Sequence, residues 1–299
     1  MSTKKTAAKK TASASPPART VGILGLGIVG SRVAAACRKA GLSVVAWNRT
    51  RRKGLASLAT PVEVAGAASV LQIFVTTDEA LAEVLEALRP ALTARHIVLN
   101  CSTVSLAATR AAARLVEDAG AAFLDAPFTG SKNAAAVGQL VYYVGGPASV
   151  LKKARWALEP SAKAILPVGE TGHATILKLA TNLVSSISVE ALAEALGLVA
   201  ALGVKPGRLV EAMEHNANSS ALSRLKLPGM IDGNFDPHFS LKNMWKDAKY
   251  AEELAQAAGL ELPALAVARQ RMGALVGRGR GEEDFSVLAA HYLKKAPKK

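Results

Sequence analysis

The chain has 299 residues, is 50% hydrophobic but only 4% aromatic, and carries a formal net charge of +14. Its apolar mass is mostly Ala, Leu and Val, enough for one large or two ordinary cores, and it favours helices and buried parallel strands over an aromatic-rich β-sandwich. Two scattered cysteines, Cys37 and Cys101, make neither a disulfide framework nor a cysteine metal site and fit a reducing compartment, so a cytoplasmic location is expected. No uncharged apolar run is long enough to span a bilayer.

The charge is concentrated at the ends. Residues 1–20 hold Lys4, Lys5, Lys9, Lys10 and Arg19 and no acid, and the last six hold Lys294, Lys295, Lys298 and Lys299. These nine cations leave 14 − 9 = +5 for the body. Segments 1–19 and 294–299 are built from Lys, Ala, Ser, Thr and Pro, which bury too little apolar surface to order, so both read as basic disordered tails. The first tail lacks an apolar h-region, so a secretory signal is not expected. It is acid-free like a transit peptide but prefers Lys to Arg and contains Pro16 and Pro17. Such tails can also hold nucleic-acid phosphates without sequence preference.

In chain order, Thr20 to Leu24 is a short apolar run of buried-strand type. Gly25, Leu26, Gly27, Ile28, Val29 and Gly30 follow at once, then a helical stretch from Ser31 to Ala40 ended by Gly41, then a second strand from Leu42 to Trp47. A glycine pattern between strand and helix within a βαβ unit points to dinucleotide binding. Gly25 permits the tight turn, Gly27 lets backbone approach a pyrophosphate, and Gly30 allows close helix–strand packing. The helix start then offers free N–H groups to phosphate.

At the end of the second strand, where NAD-binding versions usually place Asp or Glu, stand Asn48, Arg49, Thr50, Arg51 and Arg52. A carboxylate would repel a 2′-phosphate, whereas a guanidinium can bind one. The expected cofactor is NADPH, with Arg49 as main contact and Asn48 and Thr50 in support.

The alternation continues. Strands are expected at Val70–Val75, Ile97–Leu99 and Ala122–Asp125, with helices at 78–88 and 106–119. Ligands of such sheets sit beyond the carboxyl ends of the strands, where Thr76, Thr77, Ser102 and Thr103 fall. A turn follows at 125–132, and strands at 140–144 and 164–168 close the domain. Residues 169–203 read as one long helix, apolar nearly all round and hence buried between two domains. Its polar residues Lys178 and Asn182, four apart, share a face. A lysine is almost never buried without a partner, so Lys178 either snorkels to the surface or points into a cleft. Helices follow at 205–214, 239–258, 263–276 and 284–293. The predicted architecture is α/β, a Rossmann-type doubly wound parallel sheet (20–171), an interdomain helix (172–203) and an all-α C-terminal domain (204–293). His96, His173, His215, His238 and His291 show no metal spacing and read as structural, with His173 the only one near the expected site.

The order of the glycine loop, Asn48-Arg49-Thr50, Ser102-Thr103, Asp125-Ala-Pro-Phe-Thr129-Gly130, Gly172 with Lys178 and Asn182, and Lys246-Asp247 closely resembles the β-hydroxyacid dehydrogenases across about residues 20–293. That family includes 3-hydroxyisobutyrate dehydrogenase, tartronate semialdehyde reductase and the glyoxylate/succinic semialdehyde reductases. The spellings Gly130-Ser-Lys and Gly138-Gln-Leu look most like the last branch. The resemblance implies Lys178 as catalytic lysine, with Asn182 orienting it or the substrate. It implies Thr129, Gly130 and Ser131 as the holder of a substrate carboxylate, and Thr103 near nicotinamide and substrate. Phe239, Lys246 and Asp247 would close over both from the second domain. It also implies homo-dimers or homo-tetramers built through the helical half. Thr129 replaces the usual serine, Phe128 the usual valine and Asn100 a common aspartate; the first two alter the substrate pocket. A lysine serving as acid works best with its pKa moved towards neutrality by burial, so a lowered pKa is expected at Lys178. The expected reaction is reduction of a small aldehyde- or keto-acid, or the reverse. Three alternatives are another branch of the family, an imine reductase (against which Lys178 argues) and a nucleic-acid-binding protein using the enzyme fold as a scaffold.

Overall fold

A computed structural model describes residues 19–50 and 57–293, so the basic tails apart from Arg19, and Arg51 and Arg52, lie outside the described residues. The first half alternates strands and helices. In order these are β1 (Thr20–Leu24), α1 (Ile28–Lys39), β2 (Ser43–Trp47), α2 (Pro61–Ala67), β3 (Val70–Ile73), α3 (Asp78–Leu88), β4 (Ile97–Asn100), α4 (Leu106–Asp118) and β5 (Ala122–Asp125). Then come β6 (Phe128–Thr129), α5 (Lys132–Ala136), β7 (Leu140–Gly145), α6 (Ala148–Leu158) and β8 (Ala162–Gly169). The strands run β2-β1-β3-β4-β5 in parallel, so the connection reverses direction between β1 and β3. A crevice opens beyond the carboxyl ends at such a switch point.

The sheet departs from the expected all-parallel form. β7 runs antiparallel to β5 and β6, and β8 runs parallel to β7. Only residues 130–139 separate β6 from β7, too few for the usual parallel crossover. Residues 132–136 of that link, expected as part of a plain turn and its sequel, make the single-turn α5 capped by Ser131. Helices α1, α5 and α6 cover one face around Val33, Leu140, Tyr142 and Leu158. Helices α2, α3 and α4 cover the other around Val64, Leu71, Leu85 and Val116.

The second half is helical: α7 (His173–Ala201), α8 (Gly207–Glu214), α9 (Ala221–Asp232), α10 (Leu241–Ala257), α11 (Pro263–Val276) and a 3-10 turn at Phe285–His291. The 3-10 turn stands where a regular helix 284–293 was expected; Asp284 caps it. Its Val287 and Leu288 insert beside Val189 and Leu196 of α7 and Met272 of α11 in a third core.

Helix α7 is 29 residues and long and apolar enough to pass for a membrane span. In this fold it is a core helix, packed on the sheet domain at one end and on α9, α10 and α11 along its length. The expectation that it is buried nearly all round is corrected. Lys178, Leu179, Asn182, Ser186, Val189, Ala193 and Leu196 face inward, while Leu177, Val184 and Leu198 are 41%, 60% and 62% exposed.

Candidate active site

The glycine loop is shaped by three different constraints. Gly25 has φ +97°, and a Cβ there would lie 2.0 Å from the Phe74 carbonyl oxygen. A Cβ at Gly30 would lie 2.0 Å from the Gly25 carbonyl oxygen, so α1 can approach β1 only through glycine. A Cβ at Gly27 meets nothing within 4 Å, so its surface is open on the side of the cleft. Gly27 is also the N-cap of α1, and no side chain satisfies the helix's first N–H groups. Those groups at Ile28 and Val29, with the positive end of the helix dipole, suit a pyrophosphate.

Two expected contacts take other positions. The Leu26 side chain is buried in the sheet core, and its N–H donates to Asn48 Oδ1 at 2.8 Å. Asn48 Nδ2 in turn donates to the Thr50 carbonyl. Asn48 therefore braces the glycine loop against the β2 loop with its own side chain. Thr77 caps α3 by accepting from Ala80 N at 3.2 Å and does not line the cleft, whereas Thr76 does. Arg49 projects into solvent beside Thr50 and pairs with Glu83 of α3 at 3.3 Å, both side chains well exposed. Glu83 is a carboxylate next to the ribose-reading position that sequence reasoning missed.

A cleft of about 590 Å³ runs between the sheet's carboxyl edge and the helical domain. It gathers Gly27, Ile28, Val29, Thr76, Thr103, Thr129, Gly130, Ser131, Lys178, Asn182, Phe239, Lys246 and Asp247 from segments distant in sequence. At its base Lys178 is 8% exposed and Nζ donates to Asn182 Oδ1 at 3.0 Å. That is its one hydrogen bond among the described residues, which leaves ammonium protons for a ligand. Asn182 Nδ2 donates to Asp247 Oδ2 at 2.7 Å, tying α7 to α10. Lys246 donates to the Thr103 carbonyl and so ties α10 to the β4 loop. Lys246 Nζ also lies 3.0 Å from Asp247 Oδ1, but off the line of a hydrogen bond, so that buried oxygen keeps an open acceptor position.

Burial pushes the Lys178 pKa down from 10.5 to about 8; the Asp247 carboxylate opposes the shift and the Lys246 charge adds to it. Desolvation disfavours a cation, so this is the displacement expected of a buried ammonium with one carboxylate within reach.

Asp125 at the end of β5 sets where Lys178 stands. Its carboxylate accepts from Gly172 N, Thr175 N and Thr175 Oγ1 at 3.2, 2.8 and 2.9 Å, pinning the start of α7 to the sheet. Burial raises its pKa to about 6 against those three donors.

Sequence reasoning also missed Lys132 and His238 in the lining, and it favoured His173 instead. His173 is exposed, and its ring caps Glu170 N at 3.2 Å. His238 precedes Phe239 on a loop whose N–H groups at 238 and 239 donate to Asp284 at 2.9 and 3.2 Å. Asp284 is paired with buried Lys226 at 2.7 Å. The pairing of a lysine and an aspartate 58 residues apart has no local sequence signal. Phe128, which departs from the family pattern, packs between Phe74 and Tyr142 with ring centroids 6.1 and 6.0 Å away and forms an aromatic wall of the cleft.

A switch-point crevice with an open Gly27, free helix N–H groups and a buried lysine facing it defines a nicotinamide-dinucleotide oxidoreductase. Residues 20–169 match the NAD binding domain of 6-phosphogluconate dehydrogenase, and residues 172–292 match the NAD-binding domain of NADP-dependent 3-hydroxyisobutyrate dehydrogenase. The chain is 30% identical to glyoxylate/succinic semialdehyde reductase 2, chloroplastic, of Arabidopsis thaliana over 90% of its own length and 78% of the relative's. It is 29% identical to 2-hydroxy-3-oxopropionate reductase of Escherichia coli over 90% and 95% of the two chains. The solved 3-hydroxyisobutyrate dehydrogenase of Mycobacterium tuberculosis with L-serine superposes at a TM-score of 0.83, 26% identical, over 92% and 99% of the two chains. The chain spans about half of another curated relative, the mouse cytokine-like nuclear factor N-PAC, at 27% identity. The chain belongs to the β-hydroxyacid dehydrogenase family of NAD(P)-dependent enzymes.

Proposed function

We propose that the protein uses NADPH to reduce a small aldehyde- or keto-acid, succinic semialdehyde or glyoxylate, to the hydroxy acid, or runs the reverse. The observation that carries this is Lys178, a buried ammonium with one protein hydrogen bond and a pKa near 8, lining a cleft that also holds the glycine loop. Gly27, Ile28 and Val29 would hold the pyrophosphate of a nicotinamide dinucleotide along the cleft past Thr76 and Thr103, and the cofactor would supply hydride. Reduction of a carbonyl builds negative charge on its oxygen, and Lys178 stabilises that charge and delivers a proton there. Asn182 and Asp247 hold the ammonium in place. Thr129, Gly130 and Ser131 take the substrate carboxylate on their hydroxyl and N–H groups, with Lys132 beside them, and this fixes the carbonyl for attack. Phe239 and Lys246 close the far side.

NADPH over NADH is supported by the lack of an acid at the end of β2 and by Arg49 there. It is supported too by the NADP-dependent type of the matching family model. The substrate class follows the Arabidopsis relative's name. The likeness to a solved 3-hydroxyisobutyrate dehydrogenase favours a second reading, oxidation of 3-hydroxyisobutyrate. Two buried free thiols support a reducing, cytoplasmic setting. The exposed apolar row Leu177, Val184 and Leu198 on α7 supports a homo-dimer or homo-tetramer, to be read by light scattering.

The test is NADPH oxidation at 340 nm with succinic semialdehyde, glyoxylate, tartronate semialdehyde and methylmalonate semialdehyde, each repeated with NADH. Fast turnover of one of the first two with NADPH is expected. Turnover of methylmalonate semialdehyde alone would favour the second reading, and preference for NADH would overturn the role of Arg49.

A further inference from the structure

A second concavity, of about 560 Å³, lies at the opposite edge of the sheet, lined by Arg19, Thr20, Ser69, Lys152, Lys153, Arg155, Trp156 and Glu159. Thr20 opens β1 and Ser69 immediately precedes β3, so this groove sits at the amino ends of the strands, away from the cleft. Its lining holds four cations against one acid. The acid is engaged: Glu159 lies 3.3 Å from Arg155. Arg19, Lys152 and Lys153 are exposed and have no acidic partner among the described residues. The last turn of α1 adds exposed Arg38 and Lys39 at this edge, because α1 leads directly into β2, whose Ser43 N donates to the Arg19 carbonyl.

The cations stand on an open surface and share no buried polar group that would cradle a single small anion. That arrangement suits phosphates repeated along a chain. The one aromatic face is taken, since the Arg19 guanidinium stacks over Trp156 at 5.4 Å from the ring centroid. No free platform is left for an unpaired base, which disfavours single-stranded nucleic acid. In sequence, residues 1–18 hold Lys4, Lys5, Lys9 and Lys10 and no acid, and they lie outside the described residues.

We propose that this amino-edge groove docks the phosphate backbone of duplex DNA without sequence preference. Lys152 and Lys153 each neutralise a phosphate, and no part of the redox cleft takes part.

The experiment is fluorescence anisotropy of a labelled random-sequence duplex with the full chain across a salt series. It compares wild type with Lys152→Glu/Lys153→Glu and with the fourfold change of Lys4, Lys5, Lys9 and Lys10 to Ala. Each released counterion contributes about 0.9 to the log–log salt slope, so the groove variant should weaken binding about 10-fold or more and flatten the slope by roughly 2. Its melting temperature should stay that of wild type; if it does not, Lys152→Gln/Lys153→Gln is read in its place. Unchanged affinity in the groove variant overturns the proposal, even if the tail variant loses all binding. Tighter binding to the matching single strand, or no salt-sensitive binding by wild type, overturns it as well.

Discussion

Replacing Lys178 with methionine should destroy turnover and strengthen the fold. In the folded chain the ammonium has a pKa of about 8 against its ordinary 10.5, with burial the leading cause. At 1.36 kcal/mol per pH unit, the difference of 10.5 − 8 corresponds to roughly 3 kcal/mol of stability lost at neutral pH to holding that charge inside. Methionine fills similar volume and carries no charge. It forfeits the bond to Asn182, about 1 kcal/mol, so a net gain on the order of 2 kcal/mol is expected in urea melts at pH 7. The sign of the pH dependence is a second readout. Between about pH 8 and 10.5 the unfolded chain binds the extra proton, so wild-type stability rises with pH across that window through this group. The variant should lack that rise. Turnover follows the same group: reduction needs the ammonium and should fall as pH climbs through about 8, whereas the reverse reaction needs the free amine and should rise there. The variant's kcat should drop by roughly 10²-fold or more while NADPH affinity stays near wild type. Retained turnover would refute the assignment of Lys178. A less stable variant with an unchanged pH slope would refute the claim that the ammonium is held at a cost.

Gly27→Ala and Gly30→Ala should part ways: the first meets open space and should keep its melting temperature while losing NADPH binding by titration, whereas the second drives a Cβ into backbone and should unfold the loop region. Arg49→Ala should weaken NADPH binding by roughly 1–2 kcal/mol with little effect on NADH, and Glu83→Gln should tighten NADPH by removing the carboxylate that now engages Arg49; equal effects on both cofactors would refute the position of the 2′-phosphate. Asp247→Asn removes the charge that holds the Lys178 pKa up, so the pH at which reduction fails should move downward from about 8, measured from the kcat profile. Lys226→Met leaves Asp284 buried without its cation and should cost about 3–5 kcal/mol in denaturant melts, with Lys226→Met/Asp284→Asn recovering part of it.

The parts of this molecule that were legible in the sequence are those whose cause is local. β1, β5, α3 and α11 lie where apolar runs, caps and stops place them, and the glycine loop can be read because each glycine answers a constraint within a few residues. Elements with weak or mixed local signals were missed. α9 carries Pro228 inside it and little helical periodicity, and what marks it is the capping box of Ser220 and Ser223. α2 is one short helix, betrayed by the Thr60–Glu63 capping box. α6 had a usable signal in Leu151, Ala154 and Leu158. β7 was legible as a strand at 140–144, but its antiparallel direction was not, because the two-residue β6 it pairs with is too short to leave a pattern.

The same division runs through the active site and explains its design. Lys178 and Asn182 can be paired from sequence because one helix carries both. What poises the lysine comes from elsewhere: Asp125 on β5 fixes the start of that helix, and Asp247 on α10 anchors Asn182. Each of these carboxylates is buried and joined to α7 across a domain boundary, so neither could be assigned its role from its neighbours in sequence. Their arrangement links the two domains through the residue whose proton matters. Asp247 is tied to α7 through Asn182 and Lys246 to the β4 loop through the Thr103 carbonyl, and these are the two charges that act on the Lys178 pKa in opposite directions. Both residues also line the cleft, so substitutions at 246 or 247 on α10 change the acidity of the lysine together with the shape of the cleft.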